Sequence, residues 1–124
     1  MIFKSNEHEQ FFNEYATSYK HDHERLAMFY CLGLLDETRT HIKEIYDFEE
    51  RCIRPDCLLA GWQTGGTIQV IELAYNLYNN FGVDKETDYP RPVTPLEIFM
   101  NTELAEYFWQ AIKLRFNRME GVRK

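Results

Sequence analysis

A chain of 124 residues with 44% hydrophobic and 27% charged residues has the size and balance of one folded domain, which excludes disordered and fibrous classes. Its longest apolar stretch, LAMFYCLGLL over residues 26–35, falls well short of the ~20 residues that cross a bilayer, and its opening MIFKSNEHEQ turns polar and acidic at once, unlike a secretory signal. Three cysteines, Cys31, Cys52 and Cys57, are an odd number in a chain that needs no staples, so free thiols and a cytoplasmic setting are expected.

The net charge of −6 is unevenly spread. Residues 113–124 hold five positive charges (Lys113, Arg115, Arg118, Arg123, Lys124) against Glu120, a net of +4, so the other 112 residues carry −10. So acidic a body is repelled by nucleic-acid phosphates and is attracted to a basic protein surface, including one that normally holds DNA or RNA. The same charge keeps a protein soluble whatever else it does.

In chain order, Ser5 is placed to cap a helix in which Phe11, Phe12, Tyr15, Ala16 and Tyr19 recur at helical spacing. Asp22 caps a second, HERLAMFYCLGL, which is apolar nearly all round and so belongs at the centre of a bundle. Asp36 is placed to cap a third helix running through ETRTHIKEIYDFEE, with Ile42, Ile45, Tyr46 and Phe48 on one face and the 47–50 acidic cluster as its solvated end. Pro55 then opens a short helix that Gly61 closes.

The next break, GWQTGGT over residues 61–67, leads into IQVIELAYNLYNNFG, a strong helix with Thr67 as its expected N-cap and a left-handed stop at Asn79, Asn80 and Gly82. Residues 83–93, VDKETDYPRPV, have almost nothing to bury and read as an exposed connecting loop. Thr94 caps and Pro95 starts another short helix; Asn101 or Thr102 opens the last, in which Glu103, Glu106, Gln110, Lys113 and Asn117 form a polar stripe. Its acidic start and basic end suit the helix dipole, and residues 118–124 are a basic tail prone to fray. No segment alternates convincingly with period two. The expected fold is all-α: one domain over 1–124, an irregular bundle of about five longer and two short helices.

TGGTIQ has the glycines and the helix start of a phosphate loop, but no lysine follows and no strand precedes, so it is not a nucleotide-binding P-loop. Beyond it, Gln69, Glu72, Asn76 and Asn79 line one stripe of an otherwise apolar helix. Such a stripe either hydrogen-bonds to neighbours, with Arg25 or Arg39 placed to pair with Glu72, or opens into a groove near Trp62 and Gln63. Trp62, Gln63, Gln69, Glu72 and Asn76 are therefore the candidate groove residues.

Metal chemistry finds little support. His41 and Glu44 have the reverse of the Glu-x-x-His order of di-iron bundles and occur once, and Cys52 and Cys57 are too widely spaced for a zinc pair, so no metal and no cofactor are expected. Buried cysteines are usually inert, and only two serines, Ser5 and Ser18, are present, neither in a nucleophile elbow; no catalytic residue is assigned.

Taken together, ERLAMFYCLGLLDETRTHIKEIYDFEERCIRPDCL, GWQTGGTIQVIELAYNLYNN and EYFWQAIKLRF resemble a family of small proteins of unknown function from low-GC Gram-positive bacteria and their mobile elements, over roughly Glu24 to Phe116. The resemblance implies a mobile-element context and supplies no catalytic residues. Small acidic proteins in that setting often act stoichiometrically on host defence, for instance by covering the basic groove of a CRISPR nuclease. Binding is therefore expected before catalysis, with a basic nucleic-acid-binding host protein as partner and Asp47, Glu49, Glu50, Asp84, Glu86 and Asp88 as the candidate acidic surface. Direct nucleic-acid or membrane contact is not expected. A ligand-binding or enzymatic groove, betrayed by a closed pocket, and a structural homo-oligomer, betrayed by an exposed apolar patch, are the rival readings.

Overall fold

A computed structural model describes residues 1–19, 21–82 and 94–116. The 83–93 loop with Asp84, Glu86 and Asp88, and the 118–124 tail, lie outside the described residues. In chain order the elements are α1 (Asn6–Ala16), a 3-10 turn (Thr17–Tyr19), α2 (His23–Leu32), α3 (Asp36–Thr40), α4 (Ile42–Ile45), β1 (Tyr46–Asp47), β2 (Cys52–Ile53), a second 3-10 turn (Pro55–Leu59), α5 (Gly65–Asn79), α6 (Pro95–Phe99) and α7 (Ala105–Phe116). Four helices are long, and the only strands among the described residues are two short ones, so the all-α reading of the sequence holds. None of the described helices is long and apolar enough to cross a membrane.

Capping side chains set the helix starts. Ser5 Oγ accepts the His8 amide at 3.0 Å, and Asp22 Oδ1 accepts the Arg25 amide at 3.1 Å, each satisfying a donor that the first turn leaves free. From Ala27 to Leu32 every side chain of α2 is buried, and the helix packs against α1, α5 and α7. Phe29 is the pivot of an aromatic core: Phe48 lies parallel to it at 5.9 Å and Tyr46 meets it edge-on at 5.5 Å. Burying each such ring stabilises the fold by roughly 1.5–3 kcal/mol. Close packing also explains Gly33, where a Cβ would lie 2.8 Å from both His8 Cδ2 and Phe11 Cδ1. Only glycine lets α1 approach the end of α2 so closely.

The third expected helix is interrupted. Asp36 is the first helical residue and caps nothing; Leu35 holds the cap position without a side-chain hydrogen bond. His41, at φ −100 and ψ 23, separates α3 from α4, and Tyr46 leaves the helix for extended backbone. Tyr46 then pairs with Ile53 and Asp47 with Cys52 in an antiparallel ladder. The 47–50 acidic cluster is thus a hairpin turn and not a helix end: Asp47 Oδ1 accepts the amides of Glu49 and Glu50, both at 2.9 Å, and Arg51 takes a left-handed φ of 58. A short polar side chain that binds its own backbone two residues on competes with the helical ladder, and here it wins.

Two further starts shift. Thr64, not Thr67, caps α5, in a reciprocal box in which Thr64 Oγ1 accepts the Thr67 amide at 3.2 Å and Thr67 Oγ1 accepts the Thr64 amide at 2.7 Å. Gly65 and Gly66 therefore lie inside the first turn. The last helix begins at Ala105, after Asn101 at φ 57 and a turn in which Thr102 Oγ1 accepts the Leu104 amide at 3.0 Å. Its polar stripe is not uniformly solvated, because Gln110 is buried and accepts the Ile2 amide. Thr94 and Asn80 act as expected, the first capping α6 together with Glu97, the second closing α5 at φ 65.

Candidate functional site

The GWQTGGT segment is held from both sides. Gln63 Nε2 donates to Cys57 O at 2.8 Å, and its Oε1 accepts from the Thr67 hydroxyl, tying the second 3-10 turn to the first turn of α5. Trp62 turns the other way: its ring stacks on His41 with centroids 4.0 Å apart and planes 2° from parallel, and its Nε1 donates to Glu44 Oε1 at 3.1 Å. Glu44 is also hydrogen-bonded to His41 Nδ1 at 2.6 Å. The hydrogen bond from His41, then that from Trp62, holds the Glu44 carboxyl below its ordinary range.

The polar stripe of α5 divides between two clefts. Gln69 and Glu72 line one of ≈ 540 Å³ between the start of α5 and α6, with Gly65, Glu97 and Asn101. Gln69 Nε2 already donates to Ile98 O at 2.7 Å and Met100 O at 3.0 Å, so it satisfies the carbonyls that end α6 and joins that helix to α5. Trp62, Gln63 and Asn76 do not line this cleft. Asn76 instead reaches Asn80 Oδ1 near the left-handed cap, and Asn79 lines a second cleft, of ≈ 650 Å³, with His21, Asp22, Arg25, Cys52 and Tyr78.

That second cleft is built around Arg25. Its guanidinium donates to Asp22 Oδ2 at 2.6 Å, to Tyr46 Oη at 2.9 Å and to Tyr78 Oη at 2.9 Å, and it lies over the Tyr19 ring at 5.4 Å. Burial pushes the Tyr46 hydroxyl up to about 12, so it stays protonated at neutral pH. Arg39 is occupied elsewhere, with Asp36 and the Gly33 carbonyl. Each of these two arginines, read in the sequence as a partner for Glu72, thus has an aspartate three residues earlier in the chain, Asp22 or Asp36.

The comparisons with known proteins bear on the whole of this arrangement. A family of unknown function, DUF6075, matches residues 1–123. The chain belongs to DUF6075. No curated protein and no solved structure matches it. Membership extends the likeness seen in the central motifs to nearly the full chain and brings no activity with it.

Among the candidate acidic residues of this DUF6075 chain, Asp47 is committed to the hairpin turn while Glu49 and Glu50 are exposed at its tip. Among the described residues, no group of three or more metal-ligating side chains converges. Two interior groups escaped the sequence reading, and a third group was read only in part. His8 is fully buried, with Nδ1 accepting the Lys4 amide at 3.1 Å and Nε2 donating to Tyr30 O at 2.7 Å, and burial lowers its pKa from 6.5 to about 4. Tyr75 donates to Ile45 O at 2.6 Å and lies 3.2 Å from Cys57 Sγ, whose thiol burial pushes up. Arg25 drew notice only as a partner for Glu72, although an arginine three residues after a capping aspartate, on a helix flanked by tyrosines, carries the signal for its network.

Proposed function

We propose that the protein acts by binding another protein through its acidic surface. The observation that carries this reading is the outer face of α1: Glu7, Glu9 and Glu14 are exposed, and no lysine or arginine lies within the helix. Asp36 and Glu37 on α3 and Glu49 and Glu50 at the hairpin tip add to the exposed negative charge. The interior groups that chemistry would otherwise use are committed to structure: both ring nitrogens of His8 are hydrogen-bonded, Cys57 is hydrogen-bonded to Tyr75, and Cys31 is buried with its thiol pushed up by that burial. A fixed field of this sign attracts a basic groove and speeds encounter with it.

In its narrower form, the partner is a nucleic-acid-binding host protein such as a CRISPR nuclease, and the protein inhibits it by occupying the groove. The test is retention of a purified CRISPR nuclease on the immobilised chain at low and high salt, together with its cleavage of DNA. Retention that weakens as salt rises, and that is lost in a Glu7→Lys, Glu9→Lys, Glu14→Lys variant, supports the reading. Unaltered cleavage and no retention sink the nuclease form. Retention of other basic proteins that ignores both salt and the triple variant sinks the acidic-face reading itself.

A further inference from the structure

On α7 the side chains that reach the surface are not all polar, although one of them, Ile112, also packs against the core. Trp109 is 49% and Phe116 56% exposed, and the half-buried Ala105 and Ile112 lie with them on one ridge. The intervals from Ala105 to Trp109, Ile112 and Phe116 are four, three and four, the spacing of a two-helix seam. Phe108 and Ala111, farther round the helix, are buried in the protein's own core. Glu106 and Lys113 both flank the ridge on the same side, seven residues apart, where Glu106 is exposed and Lys113 half-exposed.

These positions are self-complementary. When two identical helices pair antiparallel about a two-fold axis, like flanks meet, and the start of one helix lies beside the end of the other. With the axis between Trp109 and Ile112, Trp109 of each copy faces Ile112 of the other, Ala105 faces Phe116, and Glu106 lies beside Lys113. In a parallel pair opposite flanks meet, so the Glu106 and Lys113 side of one copy lies away from that of the other; only the antiparallel arrangement sets Glu106 beside Lys113.

We propose that this ridge is a self-association surface and that the partner it fits is a second copy of the chain, α7 against α7, antiparallel. The assignment is independent of the acidic-face reading, since it uses a different helix and mostly apolar contacts. Twelve helical residues make a short seam, so the dimer is expected to be concentration-dependent.

Sedimentation equilibrium of the full chain over rising concentration tests it, with circular dichroism confirming that each variant is folded. The expected result is a mass rising from 14.9 kDa toward twice that value, and loss of the rise in Trp109→Glu. Glu106→Lys and Lys113→Glu each weaken association several-fold by setting like charges together. Mixing these two single variants in equal amounts restores it, because each then meets its opposite. Restoration separates pairing from mere helix stability, as both substitutions oppose the helix dipole and mixing does not relieve that. A chain that stays at 14.9 kDa throughout, a Trp109→Glu variant that still associates, or a mixture no better than its components overturns the proposal.

Discussion

Two clusters of this molecule use the same materials to different ends. Around Arg25 a cation, a carboxylate and tyrosines from α2, β1, α5 and the first 3-10 turn interlock, with 15% of the Arg25 side chain and 26% of the Asp22 side chain exposed. Around Trp62 a carboxylate, an imidazole and an indole also make ideal contacts, yet Glu44 is exposed and its histidine partner is three residues away on the same stretch of chain. Contact geometry is equally good in both. What differs is how much water has been removed and how many distant elements depend on the contact, and these decide what a contact is worth.

The contrast is sharpest where the first cluster is broken. Arg25→Met keeps most of the packing volume but removes the guanidinium that Asp22 Oδ2, Tyr46 and Tyr78 share, leaving Asp22 the residue 25 amide and Tyr78 the Arg51 carbonyl. We expect a loss of about 2 kcal/mol, between what an exposed and a buried pair contributes, read as a fall in the urea midpoint. A change too small to resolve would mean that the network is ornament on an aromatic core that suffices alone.

His8 extends the comparison to pH. It is neutral in the fold, with a pKa of about 4 against 6.5 when unfolded, so between those values the unfolded chain binds a proton that the folded chain refuses. Stability therefore falls as pH drops from 6.5 to 4, by about 2–3 kcal/mol in total, and this contribution does not change further below that window. In His8→Gln the slope over this interval should flatten by that amount, measured as unfolding free energy against pH. An unchanged slope would assign the acid sensitivity to carboxylates instead.

The sequence carried the helices and the caps at Ser5, Asp22 and Thr94 because those signals are local: a periodic face and an oxygen one turn away. It misplaced what depends on competition between near-equal local choices. Thr64 and Thr67 are both good caps, and only the burial of Thr67 against the core selects Thr64. Ile42 to Glu50 has a helical face, but Asp47 offers the backbone a turn, and the ring of Phe48 gains its stack on Phe29 by taking it. For the site, the α5 stripe was legible as a stripe. Its division between two clefts was not, because α6 and the hairpin meet α5 from far along the chain.

The smallest effect belongs to the second cluster, and it tests whether good geometry alone stabilises. Trp62→Phe keeps an aromatic ring over His41 and deletes only the indole N–H that reaches Glu44. The folded pKa of Glu44 is lowered, so its hydrogen bonds contribute above that value and are lost as pH falls through it. Because the carboxylate is in water, which solvates it nearly as well as the indole does, the urea midpoint at neutral pH should not shift resolvably. The Glu44 carboxyl should nevertheless titrate at a higher pH in the variant, followed by carbon NMR, since one of the two donors that favour its charged form is gone. A measurable loss of stability would place this cluster with Arg25 and show that the brace between α4 and the start of α5 holds the bundle as firmly as the Arg25 network does.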